Sequence, residues 1–230
     1  MTHQEMLDLS SLIHPQTDHA DQVFKDIHLE RDQLVSSQFY DCEFIRCSFV
    51  ESEFRNCRFV NCVFRHCDLS LVRVPESTFS ATRFEESKVI GVNWTQADWP
   101  TTGLGDPIGF FKSAISHSTF IGLRLKGIQI KDCVAADVDF READLSKADL
   151  AGTDLSGSMF GNTDLTQADL SRARNYTIDP GQNVLSQAKF SLPEAMSLLY
   201  SLDIVLVEDP REKLTVHTAK GGEERCVKNY

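Results

Sequence analysis

The chain has no run of eighteen consecutive apolar residues, and its first twenty residues hold no basic cluster leading into an apolar stretch. A membrane-spanning helix needs the first and a secretory leader needs the second, so a cytoplasmic location is expected. Paired cysteines are also missing. The seven cysteines form an odd set with no C-x-x-C pair, which argues against a closed disulfide framework or a zinc ribbon and for reduced thiols. The seven histidines form no H-x-H or H-x-x-H pair, and no glycine-rich loop of the phosphate-cradling kind is present. Nothing in the spacing points to a Ser/His/Asp triad, so no catalytic residue, metal ligand or cofactor is assigned and the chain is not expected to be an enzyme.

Charge is short on one side. The formal net charge is −11, and because the last twenty residues hold five Lys/Arg against three Asp/Glu, the rest of the chain is more acidic still. Such a field disfavours direct binding of nucleic acid and steers basic partners toward the surface.

What is there is a period of five. Counting by five from Phe24 gives Leu29, Leu34, Phe39, Phe44, Phe49, Phe54, Phe59, Phe64, Leu69, Val74, Phe79, Phe84, Val89, Trp94 and Trp99, all apolar. In a chain with 41% hydrophobic residues, an unbroken series of this length arises by chance on the order of once in a million frames. The series resumes one place out of step at Phe110 and runs by fives to Leu170. Thirteen of the fifteen phenylalanines lie on the two ladders. Two residues before each centre the side chain tends to be small: Cys42, Cys47, Ser52, Cys57, Cys62 and Cys67 in the first ladder, Ala143, Ala148, Thr153, Ser158, Thr163 and Ala168 in the second.

Neither the helical period of 3.6 nor the strand period of 2 produces a spacing of five. A coil that turns a corner every five residues does. Four sides make a coil of twenty, and coils stacked at roughly 4.8 Å pair backbone with backbone above and below.

The segments Ala143-Asp144-Leu145-Ser146-Lys147, Ala148-Asp149-Leu150-Ala151-Gly152 and Ala168-Asp169-Leu170-Ser171-Arg172 resemble the A-[DN]-L-x-x motif of pentapeptide-repeat proteins, and Cys42 to Phe64 resembles their Cys/Phe-rich variant. The resemblance covers about residues 22–174. It implies an all-β fold, a right-handed quadrilateral parallel β-helix; hand and square cross-section come from the family and not from the spacing.

Between Trp99 and Phe110 two prolines and three glycines mark a departure from the coil at residues 100–109. A one-residue bulge and a projecting contact loop, with Thr101, Thr102, Leu104 and Asp106 as contact candidates, are both open readings. The repeat is expected to end after Arg174, followed by an irregular connector. Ser191 and Glu194 have the S-x-x-E form of a capping box, predicting a short helix from about Leu192 to Leu202 and a closing strand from Ile204 to Val207. That helix is expected to cover the open end of the solenoid and to join two copies through Leu192, Met196, Leu199 and Leu202. Residues 1–20, with Leu7, Leu9, Leu12 and Ile13, are the candidate cover for the other end, and residues 211–230 are expected to be a flexible tail.

Asp139, Asp144, Asp149, Asp154, Asp164 and Asp169 each precede a centre. Stacked carboxylates could serve as an acid/base pair, but hydrogen bonding at the corners is the better account of an acid at every repeat. Residues 132–170 hold nine Asp/Glu and two Lys/Arg, so these aspartates are the candidate acidic, DNA-like face. Within the family the Cys-x-Phe coils, the break and the C-terminal segment are most similar to quinolone-resistance and microcin-immunity proteins. That resemblance implies a homodimeric rod that engages DNA gyrase or topoisomerase IV and protects it from a poison. The alternative is a pentapeptide-repeat scaffold for another protein, with no resistance role.

Overall fold

The described centres from Phe24 to Leu155 are buried except Trp99, which is partly buried, and two residues before most of them the chain turns inward again, so a five-residue unit typically contributes one large and one smaller interior side chain. The computed structural model describes residues 18–99, 108–202, 204 and 207. They form a β-solenoid of about eight turns, with all strand pairs parallel. Partners lie twenty residues apart, as in Phe24 opposite Phe44 and Phe44 opposite Phe64.

Four columns of centres define four faces. Face one runs through Phe24, Phe44, Phe64, Phe84, Phe110 and Ile130, the spine of a six-stranded sheet. Face two follows Leu29, Phe49, Leu69, Val89 and Ile115; face three follows Leu34, Phe54, Val74, Trp94 and Phe120; face four follows His19, Phe39, Phe59 and Phe79. Rings stack along the columns: Phe44 and Phe64 lie 4.5 Å apart at 5°, Phe39 and Phe59 4.9 Å apart at 6°.

Two places after most centres the backbone takes a left-handed conformation, with φ of 53° at Asp41 and 59° at Lys147. For a residue with a Cβ this costs about 1–2 kcal/mol. It is offset because the corner N–H is thereby aimed at the next coil: Asp41 donates to the Val60 carbonyl at 3.0 Å and Lys147 to the Thr166 carbonyl at 2.7 Å. Gly152 takes this position for a second reason, since a Cβ there would sit 2.1 Å from Oδ1 of Asp132.

The small interior residue follows from how each corner is closed. At some corners its N–H returns to the centre three places back, as in Ala143 to Phe140, Ala148 to Leu145 and Ala168 to Leu165. With positive φ at the third position these are type II turns, and the side chain has no polar task. At others the N–H points along the rod and is received by the small residue of the next coil. Cys47 donates to Cys67 Sγ, Cys67 to Ser87 Oγ, Ser87 to Ser113 Oγ, Ser113 to Cys133 Sγ and Cys133 to Thr153 Oγ1. The relay stops where Thr153 closes its own turn on Leu150, and one coil later the residue is Ala173. Cys, Ser and Thr thus occur where a buried N–H needs a partner, and Ala where it has one.

The break is larger than a one-place bulge. Phe84 pairs with Phe110 and Lys88 with Ala114, twenty-six residues apart, so this coil carries six residues more than its neighbours. The one-place shift is the remainder of six after one whole repeat. Thr101, Thr102, Leu104 and Asp106 lie outside the described residues, as do residues 1–17 and 211–230.

The repeat does not end at Arg174. Asp164 pairs with Val184 and Asp169–Leu170 with Lys189–Phe190, so a further coil follows in the same twenty-residue register. Asn175 and Pro180 occupy the expected centres, but Tyr176 and Ile178 fill the interior in their place.

The eleven-residue helix is not formed. A 3₁₀ turn at Glu194–Met196 leads into an α-helix of only Ser197–Tyr200. Nor is the capping box: Ser191 Oγ accepts the Arg172 N–H at 3.1 Å and Glu194 Oε1 accepts the Asn175 N–H at 3.2 Å. Side chains here take the place of the carbonyls a further coil would supply. The helix rests on its own last coil through Leu198, packed against the core, and Ser201 Oγ, which donates to the Ile178 carbonyl. Of the expected strand only Ile204 and Val207 are described, and neither is in a strand. Among the described residues no helix is long and apolar enough to cross a membrane.

Candidate interaction surface

The six predicted aspartates are corner residues. Each accepts, on Oδ1, the backbone N–H two places on: Arg141 to Asp139, Ser146 to Asp144, Ala151 to Asp149, Ser156 to Asp154, Thr166 to Asp164 and Ser171 to Asp169, at 2.8–3.2 Å. This bond holds the turn before the left-handed residue. The same environment favours the charged carboxylate. The Arg141 guanidinium holds Asp139 below the ordinary range, the Ser156 and Asn175 side chains do so strongly for Asp154, and the Ser171 hydroxyl and backbone do so for Asp169.

They do not make one acidic face. Asp144 stacks on Asp164 along face four and Asp149 on Asp169 along face one, as the twenty-residue spacing predicts. Asp139 and Asp154 sit on faces three and two, because consecutive repeats lie on consecutive sides. Four of the six are also ion-paired: Asp139 with Arg141, Asp149 with Lys131, Asp154 with Arg174 and Asp169 with Lys189, at 2.7–3.3 Å. Residues 108–174 as a whole hold eight Lys/Arg against nine Asp/Glu, so cations of adjacent coils largely neutralise the acidic stretch.

The six described cysteines are interior. Burial pushes the Cys57 thiol up to about 11 and those of Cys62 and Cys133 up to about 12, so they remain protonated at neutral pH. Among the described residues no group of three His, Cys, Asp or Glu is placed to hold a metal ion.

The C-terminal end carries the main apolar exposure. Leu192 is 77% exposed and Val207 84%, with Tyr200, Leu202 and Ile204 also exposed. Met196 and Leu199 of the predicted contact are half-buried. Tyr200 was not singled out from sequence, and Val207 was expected in the closing strand; both are exposed.

Five-residue units on a parallel four-sided coil, with small and large interior positions alternating, make this chain a pentapeptide-repeat solenoid in fold. Models described as "Pentapeptide repeat region" and "Pentapeptide repeats (8 copies)" match residues 37–106 and 136–172. No curated protein matches the sequence. Among solved structures, a trypsin-treated variant of QnrB1, a plasmid-mediated fluoroquinolone resistance protein, is 17% identical, with 83% of this chain and 100% of that chain covered and a TM-score of 0.55. HetL, a pentapeptide repeat protein involved in heterocyst differentiation regulation from the cyanobacterium Nostoc, is 12% identical over 74% of this chain and 87% of that one, with a TM-score of 0.34. At these identities the likeness to QnrB1 is one of fold.

Proposed function

We propose that the chain is a non-catalytic binding protein that engages a type II topoisomerase, DNA gyrase or topoisomerase IV, and protects it from a poison of the quinolone or microcin type. The reading places it in the cytoplasm as a homodimer, without cofactor, membrane or direct nucleic-acid contact. The observation that carries it is a filled solenoid of near-constant section ending in an exposed apolar patch at Leu192, Tyr200, Leu202, Ile204 and Val207. Two such ends pressed together would bury that patch and double the rod, as a twofold contact does. The fluoroquinolone-resistance role of QnrB1, whose fold this chain shares, supports the choice of partner. Carboxylates recurring along the rod near 4.8 Å per coil support the DNA-like reading in part, against one phosphate charge per about 1.7 Å in the duplex.

A second reading, a scaffold for an unrelated protein, is favoured by the ion pairing of four of the six aspartates and their spread over all sides. Supercoiling and DNA cleavage by purified gyrase, with a quinolone or a microcin, separate the two. Protection predicts restored supercoiling and less cleaved DNA as the protein is added; no change in either leaves the scaffold. Leu192→Glu with Tyr200→Glu should yield a monomer in sedimentation while keeping the β-rich circular dichroism, and a wild type already monomeric at tens of micromolar would reduce the helix to a cap.

A further inference from the structure

Glu53 is the only Asp or Glu among the described residues that is buried, at 2% exposure, although it stands at an outward position of its repeat. Its Oε1 accepts Nε and Nη2 of Arg55 at 2.8 and 2.7 Å, and its Oε2 accepts Nη2 of Arg73, one coil further on, at 2.8 Å. The arginine side chains that cover it remain 47% and 61% exposed. We propose that Arg55 and Arg73, held side by side on face three by Glu53, form a receptor for a carboxylate on an acidic segment of a protein partner.

One carboxylate shared by two guanidiniums leaves a local charge of +1 on a chain of net −11. Each guanidinium has five N–H donors in a rigid fork, and Glu53 engages only part of them. Both forks are fixed before any partner arrives, so less side-chain freedom is lost on binding. The surroundings select a single carboxylate over a phosphate backbone. Glu51 and Glu76 occupy the corners on either side. Among the described residues the only other outward cation along face three is Arg141, which is tied to Asp139, and the intervening Asn93, Thr95 and Thr119 are neutral. A duplex laid on this face would find cations at one place and acids beside it. The proposal is independent of the topoisomerase reading and stands or falls on its own test.

Titrating the full chain with a short blocked glutamate-rich peptide, and separately with a short DNA duplex, while following the Nε–H resonances of Arg55 and Arg73, tests it. The peptide should give a saturable shift of both resonances and the duplex a weaker one. Arg55→Lys with Arg73→Lys keeps both charges and the pairing to Glu53 but removes the planar forks, and peptide affinity followed on backbone amides of face three should fall about tenfold or more. Absence of a saturable shift, tighter binding of the duplex, or unchanged affinity in the lysine variant would each overturn it.

Discussion

The two ladders make the same coil from different materials. In the first, phenylalanines stack on faces one and four, and Cys or Ser beside them receives a neighbouring coil's N–H or donates to a carbonyl, as Ser77 does for Cys57 and Phe54. In the second, faces one, two and four are mostly aliphatic, Phe120, Phe140 and Phe160 are the rings that stack on one another within the ladder, and corners such as those at Ala143, Ala148 and Ala168 close on themselves with an aspartate over the turn, while Ser113, Cys133, Val138 and Thr163 still donate to the next coil. A backbone that fulfils its own hydrogen bonds frees the small position to be alanine; one that does not recruits a hydroxyl or thiol. The lesson is that the choice among Cys, Ser, Thr and Ala in this coil reflects hydrogen bonding as much as volume.

The largest effect should come from attacking the aromatic ladder. Phe54 is fully buried, and Phe54→Asp places a charge there without a partner, a cost of several kcal/mol that should unfold the first ladder. A thermal melt matching wild type would contradict the packing described. Next is the relay: Thr153→Val removes the acceptor of the Cys133 N–H and the donor to the Ile130 carbonyl, and should cost about 1–3 kcal/mol. Cys57→Ser, which exchanges one donor for another, is the matched control and should change the melting temperature little.

Acid should act chiefly on the aspartate corners. The carboxyls of Asp139, Asp154 and Asp169 are held below the ordinary 3.8 in the folded chain, so their stabilisation is present above that value and is lost as pH falls through the lower folded values. The melting temperature should be flat near neutrality and drop below about pH 4. Asp139→Asn with Asp154→Asn keeps an oxygen acceptor at each corner and should make that drop shallower; an unchanged profile would mean the aspartates do not couple to acid unfolding. The smallest effect should follow deletion of Thr101 to Asp106, which returns the long coil to twenty residues and should leave fold and melting temperature nearly unchanged. Loss of folding would show that the segment belongs to the coil, and reduced gyrase protection with the fold intact would make it a contact.

Much of this was legible in the sequence. The unbroken centres from Phe24 to Trp99 and the aspartates before Leu145, Leu150 and Leu165 pointed to the coil and its corners. What was not legible has physical causes. A period of five cannot distinguish one extra residue from six, and only pairing of Phe84 with Phe110 does. The coil beyond Arg174 was hidden because Asn175 and Pro180 stand where centres belong, while Tyr176 and Ile178, off the period, fill the core. Ser191 and Glu194 carry a helix-start pattern because the chemistry is shared: an oxygen side chain meeting orphan N–H groups serves the end of a solenoid as well as the start of a helix. The spread of the aspartates over four sides follows from the spacing, whereas their pairing with Lys131, Arg174 and Lys189 depends on which side chains adjacent coils bring together.

Amide hydrogen exchange at Cys133 and Ala148, compared between wild type and Thr153→Val, tests the two corner chemistries most directly. Both amides should be protected in wild type, and the variant should expose Cys133 while leaving Ala148, which closes on the Leu145 carbonyl, as slow as before. Undiminished protection of Cys133 in a folded Thr153→Val chain would contradict the relay and the rule drawn from it.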